Sequence, residues 1–292
     1  MSPTATPRRG TLYVVATPIG NLEDLSPRAT AVLASADLIA CEDTRVTRAL
    51  AARHAVTTRR VSYHRFNEAE SAAHLLEVLG RGGSVALVTD GGTPGISDPG
   101  ALLVRRAREE GHRVVPVPGP SALTTLLSAS GFPSGPFTFV GFLPHRRGER
   151  RRILEALRRE PRPLVVFESP RRLLATLEDA RAILGDRETA LGREMTKVHE
   201  ELLSGRLSSI IAAFAGRDVK GEIAFMIAGA DAASVSEAAT APAPAESPAE
   251  AVGRLVAAGW DRKEAMRRVA RERGLSRRQV YHDLLGGRRD KE

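Results

Sequence analysis

Short β-branched runs alternate along this chain with longer Ala/Leu-rich stretches whose apolar positions return at helical spacing. The alternation predicts strands over 12–16, 37–41, 60–63, 84–89 and 113–117. Helices are predicted over 26–35, 44–53, 70–79, 99–110 and 121–130. Strands separated by helix-length segments specify an α/β unit with a largely parallel sheet. The pattern resumes after Gly131, with strands over 137–142, 164–167, 188–193 and 222–228 and helices over 147–159, 171–184 and 207–214. The expected architecture is two α/β domains built alike, 11–118 and 119–230, without a visible internal repeat.

Residues 231–250 (DAASVSEAATAPAPAESPAE) break the pattern. They are small, polar and proline-spaced, a composition that cannot bury enough apolar surface to fold alone and reads as a linker. The last segment, 251–292, is predicted to be a small helical unit. Ala265, Val269 and Ala270 share one helical face, Gly274 ends that helix, and Ser276 is placed to cap the next, as in a helix-turn-helix.

Charge sharpens this division. The chain carries a net +8, and residues 251–292 hold 12 Lys and Arg against 6 Asp and Glu. The body is therefore near neutral while the tail is basic, which favours a polyanionic partner for the tail. Lys263, Arg267, Arg268, Arg271, Arg273, Arg277 and Arg278 are its candidate phosphate contacts. The single cysteine, Cys41, provides neither an internal disulfide nor a cysteine metal cluster. No apolar run reaches membrane-spanning length, and MSPTATPRRG lacks the apolar core of a secretion signal, so a cytoplasmic protein is expected.

Three Gly/Pro-rich turns directly follow strands: 16–21 (ATPIGN), 90–100 (DGGTPGISDPG) and 116–122 (PVPGPSA). Ligands of open α/β sheets bind beyond the carboxyl ends of strands, where such turns cluster. Neither GxxxxGK[ST] nor a GxGxxG opening a helix is present, which argues against a nucleotide-triphosphate or dinucleotide site. His64, His145 and His199 lack metal-ligand spacing. Charged clusters also follow strands: Glu42-Asp43-Thr44-Arg45, Glu168-Ser169-Pro170-Arg171-Arg172 and Arg193-Glu194-Met195-Thr196-Lys197. Each also has a local reading: a cap by Asp43, a cap by Ser169 with Pro170 at the first helical position, and a salt-bridged turn.

Taken in order, TPIGNLEDLSPRA (17–29), CEDTRVT (41–47), HRFNE (64–68), VTDGGTPGISDPG (88–100), VVPVPGPSA (114–122), SGFPSGPFTFVGFLP (130–144), VFESPRRL (166–173), LGREMTKVHEE (191–201) and KGEI (220–223) resemble the family of 16S ribosomal RNA 2′-O-ribose cytidine methyltransferase I. That family is part of the tetrapyrrole-methylase-like class of S-adenosylmethionine enzymes. The resemblance spans roughly residues 11–230 and continues in the tail. Gly91 departs from it, since a slightly larger residue is more usual there.

The resemblance implies a cofactor cleft between the two α/β domains. By position, Pro18, Asp90, Gly91, Gly92, Thr93, Ile96, Ser121 and Ala122 line it from the first domain. Glu168, Met195 and the strand near Ile227–Ala228 approach from the second. A bulky side chain at Gly92 is expected to obstruct it. Methyl transfer to a hydroxyl requires a proton acceptor, and Lys197, Glu194, Glu168 and Glu42 are the candidates, with Arg45 and Glu42 facing the substrate mouth. The implied partners are S-adenosylmethionine, 16S rRNA or the small subunit, and a second copy of the chain as a homodimer, with no membrane. The competing readings are a methylase of an acidic tetrapyrrole and a non-catalytic RNA-binding assembly factor.

Overall fold

The computed structural model describes residues 9–230, 247–257, 260–273 and 275–286. They divide into two compact units, with the boundary at Ala230 and Asp231. The first unit contains two five-stranded sheets.

The first sheet comprises β1 (Thr11–Val15), β2 (Leu38–Cys41), β3 (Arg60–Ser62), β4 (Ser84–Leu87) and β5 (Arg113–Val117). Its order is β3-β2-β4-β1-β5, and every pairing is parallel. Helices α1 (Pro27–Ser35), α2 (Thr44–Arg53), α3 (Glu68–Gly80) and α4 (Ala101–Glu109) join the strands. One face packs Val15, Ile39 and Ala86 against Leu33 and Leu50, and the other packs Leu12, Leu38 and Leu87 against Leu75, Leu79 and Leu103. All four residues of β2 are buried, as expected of a strand covered on both faces.

The second sheet comprises β6 (Thr138–Phe142), β7 (Leu164–Glu168), β8 (Glu188–Arg193), β9 (Glu201–Arg206) and β10 (Ile223–Ile227), in the order β6-β7-β10-β8-β9. Helices α5 (Ala122–Ala129), α6 (Arg147–Ala156), α7 (Leu173–Leu184) and α8 (Leu207–Phe214) accompany it. This sheet corrects the expectation of two alike halves. Only β6–β7 is parallel, whereas β7–β10, β10–β8 and β8–β9 are antiparallel. The strand β9 is also absent from the elements the sequence predicts. It is an edge strand pairing only with β8, its residues alternate between half-buried and exposed, and the loop 194–200 rather than a helix connects the two.

Helix α6 carries the arginine-rich run. Arg147, Arg150 and Arg151 converge on Asp179 of α7, at 3.2, 2.6 and 2.8 Å. The carboxylate and Arg150 are nearly enclosed, so Arg150 is internal structure, while Arg147 and Arg151 reach Asp179 from the surface.

The second unit is built from α9 (Pro248–Ala257), α10 (Arg262–Glu272) and α11 (Arg277–Gly286). Ala265, Val269 and Ala270 are buried with Ala251, Val252 and Val280, as the helical-face pattern requires. Asp261 caps α10, and Ser276 accepts the amide of Gln279 to begin α11. Gly274, residues 231–246 of the expected linker and the side chains of Arg277 and Arg278 lie outside the described residues. Ser247–Glu250 belong to the helical unit: Ser247 Oγ accepts the Glu250 amide at 3.2 Å, and Glu250 reaches back to the Ser247 amide at 2.8 Å. No described helix is long and apolar enough to cross a membrane.

Candidate active site

The post-strand turns of the first sheet meet the second sheet around a cavity of about 320 Å³. One wall is Ile19, Gly91, Ile96, Ser97 and Asp98. The other is Ala122, Phe142, Phe167, the 168–170 turn, Met195 and the 221–224 stretch that opens β10. Hydrogen bonds between turns hold the first wall. Thr17 and Gly92 exchange both backbone bonds, at 2.9 and 3.0 Å. Thr93 Oγ1 donates to the Pro120 carbonyl at 3.2 Å, and the Asp43 amide donates to Asp90 Oδ1 at 2.9 Å. The Ser121 carbonyl receives the Thr125 amide at the start of α5. A side chain on Gly91 would press on the Pro18 carbonyl, 3.2 Å from the position of its Cβ.

The second wall depends on an unusual loop. Glu194 and Thr196 both adopt left-handed backbone, φ +50° and +67°, which is uncommon for non-glycine residues and costs on the order of 1–3 kcal/mol each. Neighbouring bonds hold it there. Glu194 Oε1 accepts Lys197 Nζ at 2.7 Å and the Glu222 amide at 2.9 Å. Thr196 N donates to Glu200 at 2.6 Å, and Thr196 Oγ1 accepts the Asn21 amide at 3.1 Å. Any side chain at Gly20 would run into Lys197 and Thr196, so glycine lets the two walls meet. The result points Met195 into the cavity.

Of the expected cofactor residues, Gly91, Ile96, Ala122 and Met195 line the cavity, Asp90, Gly92, Thr93 and Ser121 make the hydrogen bonds of the adjoining turns, and Pro18 lies in one of those turns. Ala228 is not brought to it. It follows the far end of β10, where its amide donates to Glu188 O at 2.8 Å. Arg45 is largely exposed and pairs with Asp43 at 2.6 Å, and Asp43 caps α2, so the local reading of that cluster holds. At the second cluster Ser169 caps nothing. Instead Glu168 accepts the Ser169 amide at 2.7 Å, Arg172 at 2.9 Å and Thr176 Oγ1 at 2.7 Å, with its side chain fully enclosed.

The electrostatics of the rim come from residues far apart in the chain. Glu42 and Asp90 both lie above the ordinary carboxylate range, through burial and the repulsion of neighbouring carboxylates. Asp98 is pushed up to about 7 by burial and by Glu42, Asp90 and Glu222, with Arg65 opposing. Lys197 behaves oppositely. Burial alone would lower its pKa, but bonds to Glu194 and Glu222 raise it above the usual lysine value, and the amine stays an ammonium. Burial would raise Glu194, but Lys197 and the Glu222 amide hold it below its ordinary value. The sequence assigned no role to Asp98, Glu222, Phe142 or Phe167. Asp98 and Glu222 were marked only by their places in VTDGGTPGISDPG and KGEI.

The family profile of the Tetrapyrrole (Corrin/Porphyrin) Methylases matches residues 11–211, which places the chain in that class of methyltransferases. Solved structures agree on the fold. Diphthine synthase covers 75% of this chain and 90% of its own with a TM-score of 0.60 at 17% identity. Uroporphyrin-III C-methyl transferase from Thermus thermophilus, complexed with S-adenyl homocysteine, covers 74% and 97% with a TM-score of 0.54 at 23% identity. Within the class, a Mesorhizobium japonicum protein named ribosomal RNA small subunit methyltransferase I is 43% identical over 286 residues, 96% of this chain and 93% of the relative. The chain belongs to the ribosomal RNA small subunit methyltransferase I family.

The cofactor of this family is S-adenosylmethionine, and the cavity suits it. Its volume falls at the small end of the roughly 300–1,000 Å³ usual for small-molecule sites. Met195, Ile223, Ala224 and Phe167 provide apolar cover, and the surplus of carboxylates favours a ligand carrying a cationic sulfonium.

Gly92→Val should weaken S-adenosylmethionine binding at least about tenfold, by calorimetry, with the folded circular-dichroism spectrum kept. The cause differs from the expected obstruction. A Cβ at Gly92 meets only Ile19 Cγ2 at 3.6 Å, but φ is +91°, which a β-branched residue adopts only under strain. Relief of that strain reshapes the turn bonded to Thr17. Affinity equal to the wild type would remove this turn from the cofactor site.

Proposed function

We propose that this chain transfers the methyl group of S-adenosylmethionine to the ribose 2′-hydroxyl of a cytidine in the 16S rRNA of the small ribosomal subunit. The observation that carries the proposal is the apolar-walled, acid-rimmed cavity between the two sheets, in a chain 43% identical to a protein named for small-subunit rRNA methylation. The basic second unit supports an RNA substrate over a tetrapyrrole. Lys263, Arg267, Arg268, Arg271 and Arg273 are exposed along α10 and its end. The Arg268 guanidinium lies 4.9 Å from the centre of the half-exposed Trp260 ring, a flat face of the kind on which bases stack. The deciding experiment maps 2′-O-methylation in rRNA from cells with and without the protein, together with labelled methyl transfer to rRNA in vitro. Transfer to a tetrapyrrole alone, or no transfer at all, would overturn the reading. The homodimer is part of the proposal, and sedimentation of the full chain tests it.

Removal of the second unit follows from the same reading. A chain ending at Ala230 should keep its fold, because the break falls between the two compact units. Its RNA affinity should fall. The slope of its salt dependence should flatten by about one unit for each phosphate that the second unit neutralises. An unchanged slope would assign the second unit another task.

A further inference from the structure

We propose that Asp98 is the group that accepts the proton of the hydroxyl being methylated, a step that rests on the methyl-transfer reading above. Asp98 lines the cavity, whereas each of the other acceptors considered is engaged or displaced. Glu168 is enclosed by Arg172, Thr176 and the Ser169 amide. Glu194 is held by Lys197 and the Glu222 amide. Lys197 is already protonated. Glu42 stands beside Asp90 and does not line the cavity.

The turn that presents Asp98 is anchored on both sides. Before it, Ser97 adopts φ +67°, and its hydroxyl abuts Gly141 of β6, where a Cβ would stand 2.9 Å from Oγ. Gly141 itself has φ +69°, at the irregular step of the β6–β7 pairing. After it, the Gly100 amide donates to Glu68 Oε1 at 3.1 Å, and the same oxygen accepts Tyr63 Oη at 3.2 Å. The backbone is thus fixed on either side of a carboxylate that faces the cavity. Glu42 after β2, Asp90 after β4 and Glu222 before β10 face it with like charge, and Arg65 after β3 opposes them. Burial and this repulsion raise its proton affinity to about pH 7, near the optimum for a base at neutral pH.

Bound S-adenosylmethionine supplies an electrophilic methyl on a sulfonium. The oxygen–methyl bond forms as the sulfur–methyl bond breaks, the sulfur keeps the bonding pair, and the hydroxyl proton passes to the Asp98 carboxylate.

The test compares full-length wild type, Asp98→Asn and Asp98→Glu in single-turnover methyl transfer to small-subunit rRNA between about pH 5.5 and 9, a range that brackets the expected inflection. Cofactor affinity by calorimetry and thermal midpoints at about pH 8 are measured alongside. The wild-type rate should rise with pH and level off above about 7. Asp98→Asn should lose about 10²–10⁴-fold in rate at saturating cofactor, and the inflection with it. Asp98→Glu should recover part of the rate. Stability supplies an independent readout. A carboxyl whose folded pKa is raised binds its proton more tightly when folded, so its contribution declines from its ordinary value up to about pH 7. Asp98→Asn should therefore melt at a higher temperature than wild type at about pH 8. An Asp98→Asn enzyme within about tenfold of the wild-type rate, or with the wild-type inflection intact, overturns the role of Asp98 alone. A wild-type protein that transfers no methyl to rRNA overturns that role together with the function beneath it.

Discussion

Lys197→Met should reduce the methyl-transfer rate at saturating rRNA and S-adenosylmethionine by about 10²–10³-fold, while both still bind. That is the usual loss when one preorganised group that stabilises developing charge is removed. The ammonium sits 2.7 Å from Glu194 and 3.2 Å from Glu222, at the acidic rim of the cavity. Held in the charged form, it is not a base, but it can stabilise oxygen as the proton leaves. Methionine keeps much of the length and removes the charge. Glu222 then loses its counter-charge and repels Asp98 more strongly, so the midpoint of the pH–rate profile should also move upward. A variant with weakened rRNA binding but a normal saturated rate would make Lys197 a phosphate clamp. Normal values of both would remove it from the site.

Asp179→Asn should cost about 3–5 kcal/mol of stability, the usual penalty for leaving a buried charge unpaired. The asparagine keeps the size but deprives Arg150, 5% exposed, of its counter-ion. Arg147 and Arg151 lose the same partner. At about 2–4 °C per kcal/mol for a unit of this size, the midpoint should fall by roughly 10 °C. Burial would raise the Asp179 carboxyl, but the three arginines bring it below its ordinary value. Its contribution is therefore present above about pH 4 and is lost as acid titrates the folded carboxylate, so the variant should also show a shallower loss of stability below that pH. An apolar pair at positions 150 and 179 should recover most of the loss, because it removes both charges together. A variant melting within about 1 °C of wild type would mean that the cluster contributes little.

Much of the fold was legible in the sequence because most elements announce themselves locally. The predicted helix over 44–53 and the strands over 113–117 and 188–193 match the observed elements end to end. Gly91, Ile96, Ala122 and Met195 line the cavity from stretches marked by their residues and resemblance. Ala228 does not line this cavity, because it follows the end of β10 remote from it, which the resemblance to a strand alone does not show. Ser169 makes no cap bond because its hydroxyl donates to the carboxylate of Glu168, one residue earlier, at 3.3 Å.

The sequence by itself determined most of the strands and helices, where the glycine- and proline-bearing turns fall, and that the basic excess belongs to a separate helical tail. These depend on periods of about two and 3.6 residues and on the backbone limits of single residues. Only the tertiary structure decided that the second sheet is mostly antiparallel, that 201–206 forms its edge, and that the arginines of α6 close on Asp179. It alone brought Glu42, Asp90, Asp98 and Glu222 into one electrostatic group and kept Lys197 charged. The reason is range: a strand's residue pattern is similar whichever way its neighbour runs, and a side chain's proton affinity is set by charges and burial from segments that only folding brings together.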